Sequence, residues 1–305
     1  MTKKKDIYYQ SRDNKTKIHA IVWFPDSEPK AVIQIAHGLT EYAERYDSVA
    51  RFFNEQGFVV ACADTLGHGQ SVRSEEYRGY FGKYEYVIED FNNLRKSVQK
   101  KYPDLPYIFW GHSMGSFFGR RYVQVYGEGL AACIFTGPGY IPNAGISNLV
   151  CDAIAWTRGG LYYSKFIDTT DMDHYNDRIP DAETYNDWLS RNKEAVAEYN
   201  ADPLCQKTVI KINGYQQLGR CSYHEQMPKN IRKMPKDLPV YILCGSEDAV
   251  SKYGSAAKII TESMKKEGLT DVTLKIYEGL RHQLHQEPEK DMFFNDILSW
   301  INDRI

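Results

Sequence analysis

The chain has 305 residues, enough for one large α/β domain, or two small ones, with a sizeable core and no need of metal or disulfide staples. Its 38 basic and 40 acidic residues nearly cancel, and beyond Lys3-Lys4-Lys5 no basic block appears, so nucleic acid is not indicated as a partner. The polar run Asp6 to Arg12 follows those lysines where a secretory signal would be apolar, and no stretch reaches the ~20 apolar residues of a spanning helix, which reads as a soluble, cytoplasmic protein.

Short β-branched or aromatic runs alternate with amphipathic stretches, the mark of a largely parallel sheet covered by helices. Strands are expected at Ile18–Phe24, Ala31–Ala36, Phe58–Ala63, Tyr107–Trp110, Ala132–Thr136, Val240–Cys244 and Val272–Tyr277. Helices are expected at Arg45–Gln56, Tyr86–Lys101, Ser116–Tyr126, Gly254–Glu267 and Pro288–Asp303. From Gly137 to about Pro239 the alternation stops and a polar, aromatic-studded region with helical spacing takes over, for example Ala182–Tyr199, which marks an insertion. The expected division is a core of residues 1–136 and 240–305 with residues 137–239 inserted. Six cysteines stand singly at 62, 133, 151, 205, 221 and 244, three of them inside strand-like runs, and read as reduced packing residues.

The chemistry begins at Gly111-His112-Ser113-Met114-Gly115, a G-x-S-x-G pentapeptide between an apolar run and a helical one. In that setting the pattern is a nucleophile elbow: two glycines permit a sharp strand-to-helix turn that lifts the serine hydroxyl clear of the backbone. A serine nucleophile needs an imidazole to take its proton and a carboxylate to orient that imidazole. Both types follow later strands, at Glu247-Asp248 and at His282, with His285 three residues on. Spacing alone decides neither Glu247 against Asp248 nor His282 against His285. The order Ser, acid, His is that of α/β-hydrolases. His282-x-x-His285 lacks a third ligand, so no metal site is expected. One oxyanion donor is expected from the N–H of Met114 and a second from Leu39, in the His37-Gly38-Leu39 loop after a strand. His37 and His112 read as structural, and Asp64-Thr65-Leu66-Gly67-His68-Gly69-Gln70-Ser71 as architecture.

Six collinear segments carry a family resemblance: Ala36–Tyr42 with Arg45-Tyr46, Asp64–Ser71, Gly111–Gly115, Tyr199–Leu204, Gly245–Asp248 and Tyr277–His282. Together they resemble the monoacylglycerol lipase and lysophospholipase group of α/β-hydrolases, with its serine aminopeptidase-like kin. The resemblance implies an α/β-hydrolase fold with a helical cap formed by residues 137–239. It also implies Ser113 as nucleophile, Asp248 as acid, His282 as base, and Leu39 and Met114 as oxyanion-hole donors. No cofactor is implied. The partner is a small ester or lipid, with membrane contact at most peripheral through the cap; a small-ester carboxylesterase, a prolyl aminopeptidase and a non-catalytic ligand-binding protein are the alternatives. Two acidic runs, 168–173 and 177–183, set this cap apart from the apolar caps expected of membrane-associated members. Tyr140, Trp156, Tyr162, Tyr163, Phe166, Tyr175, Tyr185 and Trp188 are expected either to line an acyl pocket or to form the cap's own small core.

Overall fold

A computed structural model describes residues 3–207 and 209–305, leaving aside the side chains of 169–172, 206 and 207. Eight strands form one sheet in the order β1-β2-β4-β3-β5-β6-β7-β8. They are β1 (Lys3–Gln10), β2 (Lys17–Phe24), β3 (Ala31–Ala36), β4 (Phe58–Ala63), β5 (Tyr107–His112), β6 (Ala132–Thr136), β7 (Val240–Gly245) and β8 (Val272–Tyr277). β2 runs antiparallel to both β1 and β4, and all remaining neighbours are parallel. β3 to β7 are buried along their whole length, which is why their sequences are continuous apolar runs instead of alternating ones.

Successive residues of each strand feed opposite faces. Val32 and Ala36 join a core with Phe91 of α2 (Tyr84–Gln99) and Phe118 of α3 (Met114–Tyr126); α10 (Ser255–Lys266) adds Ile260 to the same face. Ile33 and Ile35 join the other, with Phe53 of α1 (Asp47–Glu55) and Ile297 of α11 (Lys290–Asn302). The result is three layers, helix, sheet and helix.

The expected strands are all present, and the helices start or end within a few residues of expectation. β5 runs two residues further than expected, and α3 begins at Met114 rather than Ser116. Sequence reading missed β1, whose polar residues are mostly exposed at the sheet edge; only Ile7 and Tyr9 turn inward. Lysines on an edge strand block edge-to-edge pairing with other chains, so the feature that protects the edge also hides the strand.

Between β6 and β7 the chain forms α4 (Ala144–Arg158), α5 (Lys165–Met172), α6 (Lys193–Ala201), α7 (Pro203–Lys207), α8 (Ile212–Glu225) and α9 (Pro228–Ile231). The helical spacing over Ala182–Tyr199 corresponds to a 3-10 turn at Asp187–Leu189 and the start of α6. Asn192 caps α6 by accepting the N–H groups of Glu194 and Ala195, which fixes the helix start there.

Candidate active site

The elbow is set by close packing. Ser113 sits between β5 and α3 at φ 50° and ψ −117°, a conformation L residues seldom hold without support. Support comes from its N–H, which donates to Thr136 O at 2.9 Å, and from its carbonyl, which accepts Ser116 N–H at 2.8 Å. A Cβ on Gly115 would fall 2.0 Å from Ala36 O, and one on Gly111 would fall 2.4 Å from Gly115 O, so both flanking positions exclude any side chain. Ser113 itself is only partly buried, and its hydroxyl makes no hydrogen bond among the described residues.

The loops after β7 and β8 bring the acid and the imidazole together. His282 Nδ1 donates to Asp248 Oδ1 at 2.9 Å, and both side chains are sealed from solvent. Val250 N–H donates to the same oxygen at 2.9 Å and fixes the carboxylate. Glu247, by contrast, is 52% exposed and faces Arg281 at 3.9 Å. His285 points away from Asp248: it stacks on Tyr46 (ring centroids 5.0 Å apart) and meets His112 edge-on at 4.9 Å. Geometry thus separates the two pairs that spacing left open, joining Asp248 to His282 and leaving Glu247 and His285 outside that bond.

Serine and imidazole share one neighbourhood. The ring of His112, next to Ser113, lies 4.9 Å from that of His282. A Cβ on Gly137, the residue after Thr136, would fall 2.8 Å from His282 Cε1. Hydroxyl-to-imidazole hydrogen bonds are commonly long in substrate-free enzymes and shorten with substrate. His112 Nδ1 pairs with the Thr136 hydroxyl at 3.1 Å. Burial, together with the neighbouring His282, pushes the His112 pKa well below the usual imidazole value.

The loop after β3 closes on the same point. A Cβ on Gly38 would lie 3.3 Å from Ser113 Cβ. Neither the Leu39 N–H nor the Met114 N–H donates to another group among the described residues, and Met114 opens α3, where unpaired amides and the helix dipole favour an anion.

Sequence reading missed what holds these loops. Glu41, fully buried, accepts Gly38 N–H and the Tyr46 hydroxyl at Oε2 and the Gln283 side chain at Oε1, each at 2.8 Å. One carboxylate therefore ties the Gly38 loop to the residue after His282. Burial alone would raise its pKa, but His112, His285, Arg45 and the Tyr46 hydroxyl outweigh that and bring it down to about 2. Glu287, also buried, accepts Arg281 N–H at 2.7 Å and Arg191 N–H at 3.2 Å. Backbone bonds run alongside, from His282 N–H to Trp188 O at 3.4 Å and from Gln283 N–H to Leu189 O at 2.7 Å. The Tyr199–Leu204 motif braces the Gly38 loop: Asp202 accepts the Tyr42 hydroxyl at 2.7 Å, and the Tyr199 hydroxyl pairs with that of Thr40.

The eight aromatics divide. Trp188 and Tyr175 pack at 4.8 Å in a small cluster with Leu189 and Tyr199, and the Trp188 ring lies 5.2 Å from that of His282. Trp156 is 88% and Phe166 68% exposed, so neither belongs to a buried core. They lie on α4 and α5. The tyrosines at 163 and 185 donate to acidic residues, Asp168 at 2.8 Å and Asp173 at 3.0 Å, so part of the acidity noted in the sequence is engaged within the segment. Side chains 169–172 of that run lie outside the described residues.

A mostly parallel eight-stranded sheet with a strand–serine–helix elbow, and an Asp–His pair supplied by the loops after its last two strands, defines an α/β-hydrolase. The chain belongs to the family described as Serine aminopeptidase, S33, whose model matches residues 27–289, and is a serine hydrolase by that membership. It is 30% identical over 284 residues to the monoacylglycerol lipase of Mycolicibacterium smegmatis, covering 92% of this chain and 91% of the relative. It is 31% identical over 286 residues to human monoglyceride lipase, covering 92% and 86%. Among solved structures, a thermostable carboxyl esterase from Bacillus coagulans superposes with a TM-score of 0.92 at 30% identity, over 100% of this chain and 99% of that one. Among the described residues no helix is long and apolar enough to cross a membrane.

Proposed function

We propose that the protein hydrolyses carboxylic esters of glycerol, monoacylglycerols first among them, through an acyl-enzyme formed on Ser113. The hydroxyl attacks the ester carbonyl while His282 Nε2 takes its proton; Asp248 holds the imidazole by Nδ1 and stabilises its cation; the oxyanion rests on the Leu39 and Met114 amides. His282 returns the proton to the departing glycerol, and water then repeats the cycle to free the fatty acid. The observation that carries this reading is the sealed Asp248–His282 bond beside a strained, accessible Ser113. The names of the similar proteins supply the ester.

In this reading residues 1–136 and 240–305 are the hydrolase core and 137–239 the cap, with the Trp188 ring against His282 supporting its place over the site. The setting is the cytoplasm, where thiols stay reduced, in keeping with six free cysteines. Rates across glycerol monoesters from acetyl to stearoyl, a lysophospholipid and a prolyl anilide test the substrate class. The monoesters should lead; a prolyl anilide turned over faster than every ester would replace the esterase reading with a peptidase one.

A further inference from the structure

The Asp64–Ser71 loop takes no part in the proposed chemistry, yet it touches the Gly38 loop at one telling atom. Thr65 N–H donates to His37 Nε2 at 2.8 Å. A neutral imidazole has one N–H and one lone pair, so accepting at Nε2 places the proton on Nδ1. Nδ1 lies 2.8 Å from Gly38 O, which can only accept. Both partners therefore select the same tautomer. A protonated ring would set an N–H at Nε2 against that of Thr65, and burial pushes the pKa down in agreement.

We infer that His37 is a positioning residue of the oxyanion hole: by holding the Gly38 carbonyl through Nδ1–H, it fixes the direction of the Leu39 N–H in the same peptide unit. The step follows from geometry. The peptide between Gly38 and Leu39 is trans and planar, so its C=O and N–H point to opposite sides, and fastening one aims the other. Glu41 fastens the preceding peptide by accepting Gly38 N–H. Gly38, lacking a Cβ, adds little restraint of its own, and the one other donor to its carbonyl, Glu41 N–H, stands further off at 3.3 Å.

The Thr65 N–H is itself held by a braced loop. His68 N–H donates to Thr65 O at 2.8 Å, and Asp64 accepts Ala43 N–H at Oδ1 and Gln70 N–H at Oδ2, each at 2.7 Å. The ring of His68 packs edge-on against that of His37 at 5.2 Å. The glycine-bearing motif read as architecture thus acts on the chemistry through one histidine tautomer.

The inference rests on Leu39 as an oxyanion donor, and the test separates the two claims. An ester and its thionoester, whose sulfur is a poor hydrogen-bond acceptor, are compared on wild type, His37→Gln and His37→Asn. Asn keeps a donor near Nδ1; Gln keeps an acceptor near Nε2 and loses that donor. Wild type should favour the ester strongly. With the donor misaimed but present, His37→Gln should lose about 10–100-fold in kcat with little change in KM, less than the ~10²–10³ of a deleted donor. Its ester-to-thionoester ratio should fall in step, whereas His37→Asn should retain most of it. A wild-type ratio near one would overturn the oxyanion reading and this inference with it; a high wild-type ratio unchanged in folded His37→Gln would overturn the inference alone. Should His37→Gln not fold, ¹⁵N-histidine spectra of wild type decide: His37 protonated at Nδ1 supports the inference, and at Nε2 overturns it.

Discussion

Around Glu41 and His282, side chains from five segments of the chain converge on a few buried atoms, while along α4 the apolar side chains of Ile146, Leu149 and Trp156 stand in solvent. In the first region Glu41, Asp248 and Glu287 each bond a group from another segment, Gln283, His282 and Arg191, so moving one loop strains the others. In the second, α4 buries only Ala144, Asn148 and Cys151. In the proposed function the contrast corresponds to two tasks. Proton transfer and oxyanion binding require atoms fixed to fractions of an ångström, whereas an apolar chain of variable length requires only surface that leaves water. Residues 187–191 belong with the first region, since their carbonyls and Arg191 are bonded to the loop that carries His282.

The sharpest way to break this contrast lies in the inner region. Ser113→Ala should lower ester turnover by about 10⁶, and Asp248→Asn by about 10⁴, whereas Glu247→Gln should stay near wild type because its side chain faces solvent and Arg281. Steady-state rates decide, and a larger loss at Glu247 would reverse the acid.

Glu41 tests the bracing rather than the chemistry. Its folded pKa of about 2 lies below the ordinary 4.5. A depressed carboxylate contributes stability that is present above the unfolded value and lost as pH falls from 4.5 through about 2. Glu41→Gln, which leaves the buried donors of Gly38, Tyr46 and Gln283 poorly matched, should destabilise by about 1–3 kcal/mol at pH 7, and the gap from wild type should narrow as pH falls below 4.5; denaturant titrations at several pH values check it. A gap that does not change with pH would mean the carboxylate's charge contributes nothing.

The outer region should give the smallest effects. Trp156→Ser should change stability by less than about 0.5 kcal/mol. If the exposed α4 face meets acyl chains, it should raise KM for stearoyl esters by a few-fold, up to about tenfold, and leave acetyl esters unaltered. Equal KM changes for both esters would show that α4 takes no part in chain binding.

Much of the inner region was legible in the sequence, because each strand there is an apolar run and each candidate site residue follows a strand end. Ser113 between its two glycines is a local pattern, and so is Gly38 after Ala36. The choice of Asp248 over Glu247 was not local: adjacent residues project in different directions from the turn after β7, and only the fold shows which meets His282. Glu41 was hidden for the same reason, since its partners at 38, 46 and 283 come from two ends of the chain. In the outer region the signal itself misled. Helical spacing over 182–199 reflects an irregular segment whose Trp188 and Leu189 face inward, and exposed aromatics on α4 and α5 are indistinguishable by composition from buried ones.

The unity of Ser113, His282 and Asp248 is tested most directly by fluorophosphonate labelling, read as intact mass and peptide map on wild type and on His282→Ala. Wild type should take one adduct, on the peptide carrying Ser113, and His282→Ala should take it orders of magnitude more slowly. An adduct on another residue, or equal labelling rates in the two proteins, would contradict the assignment.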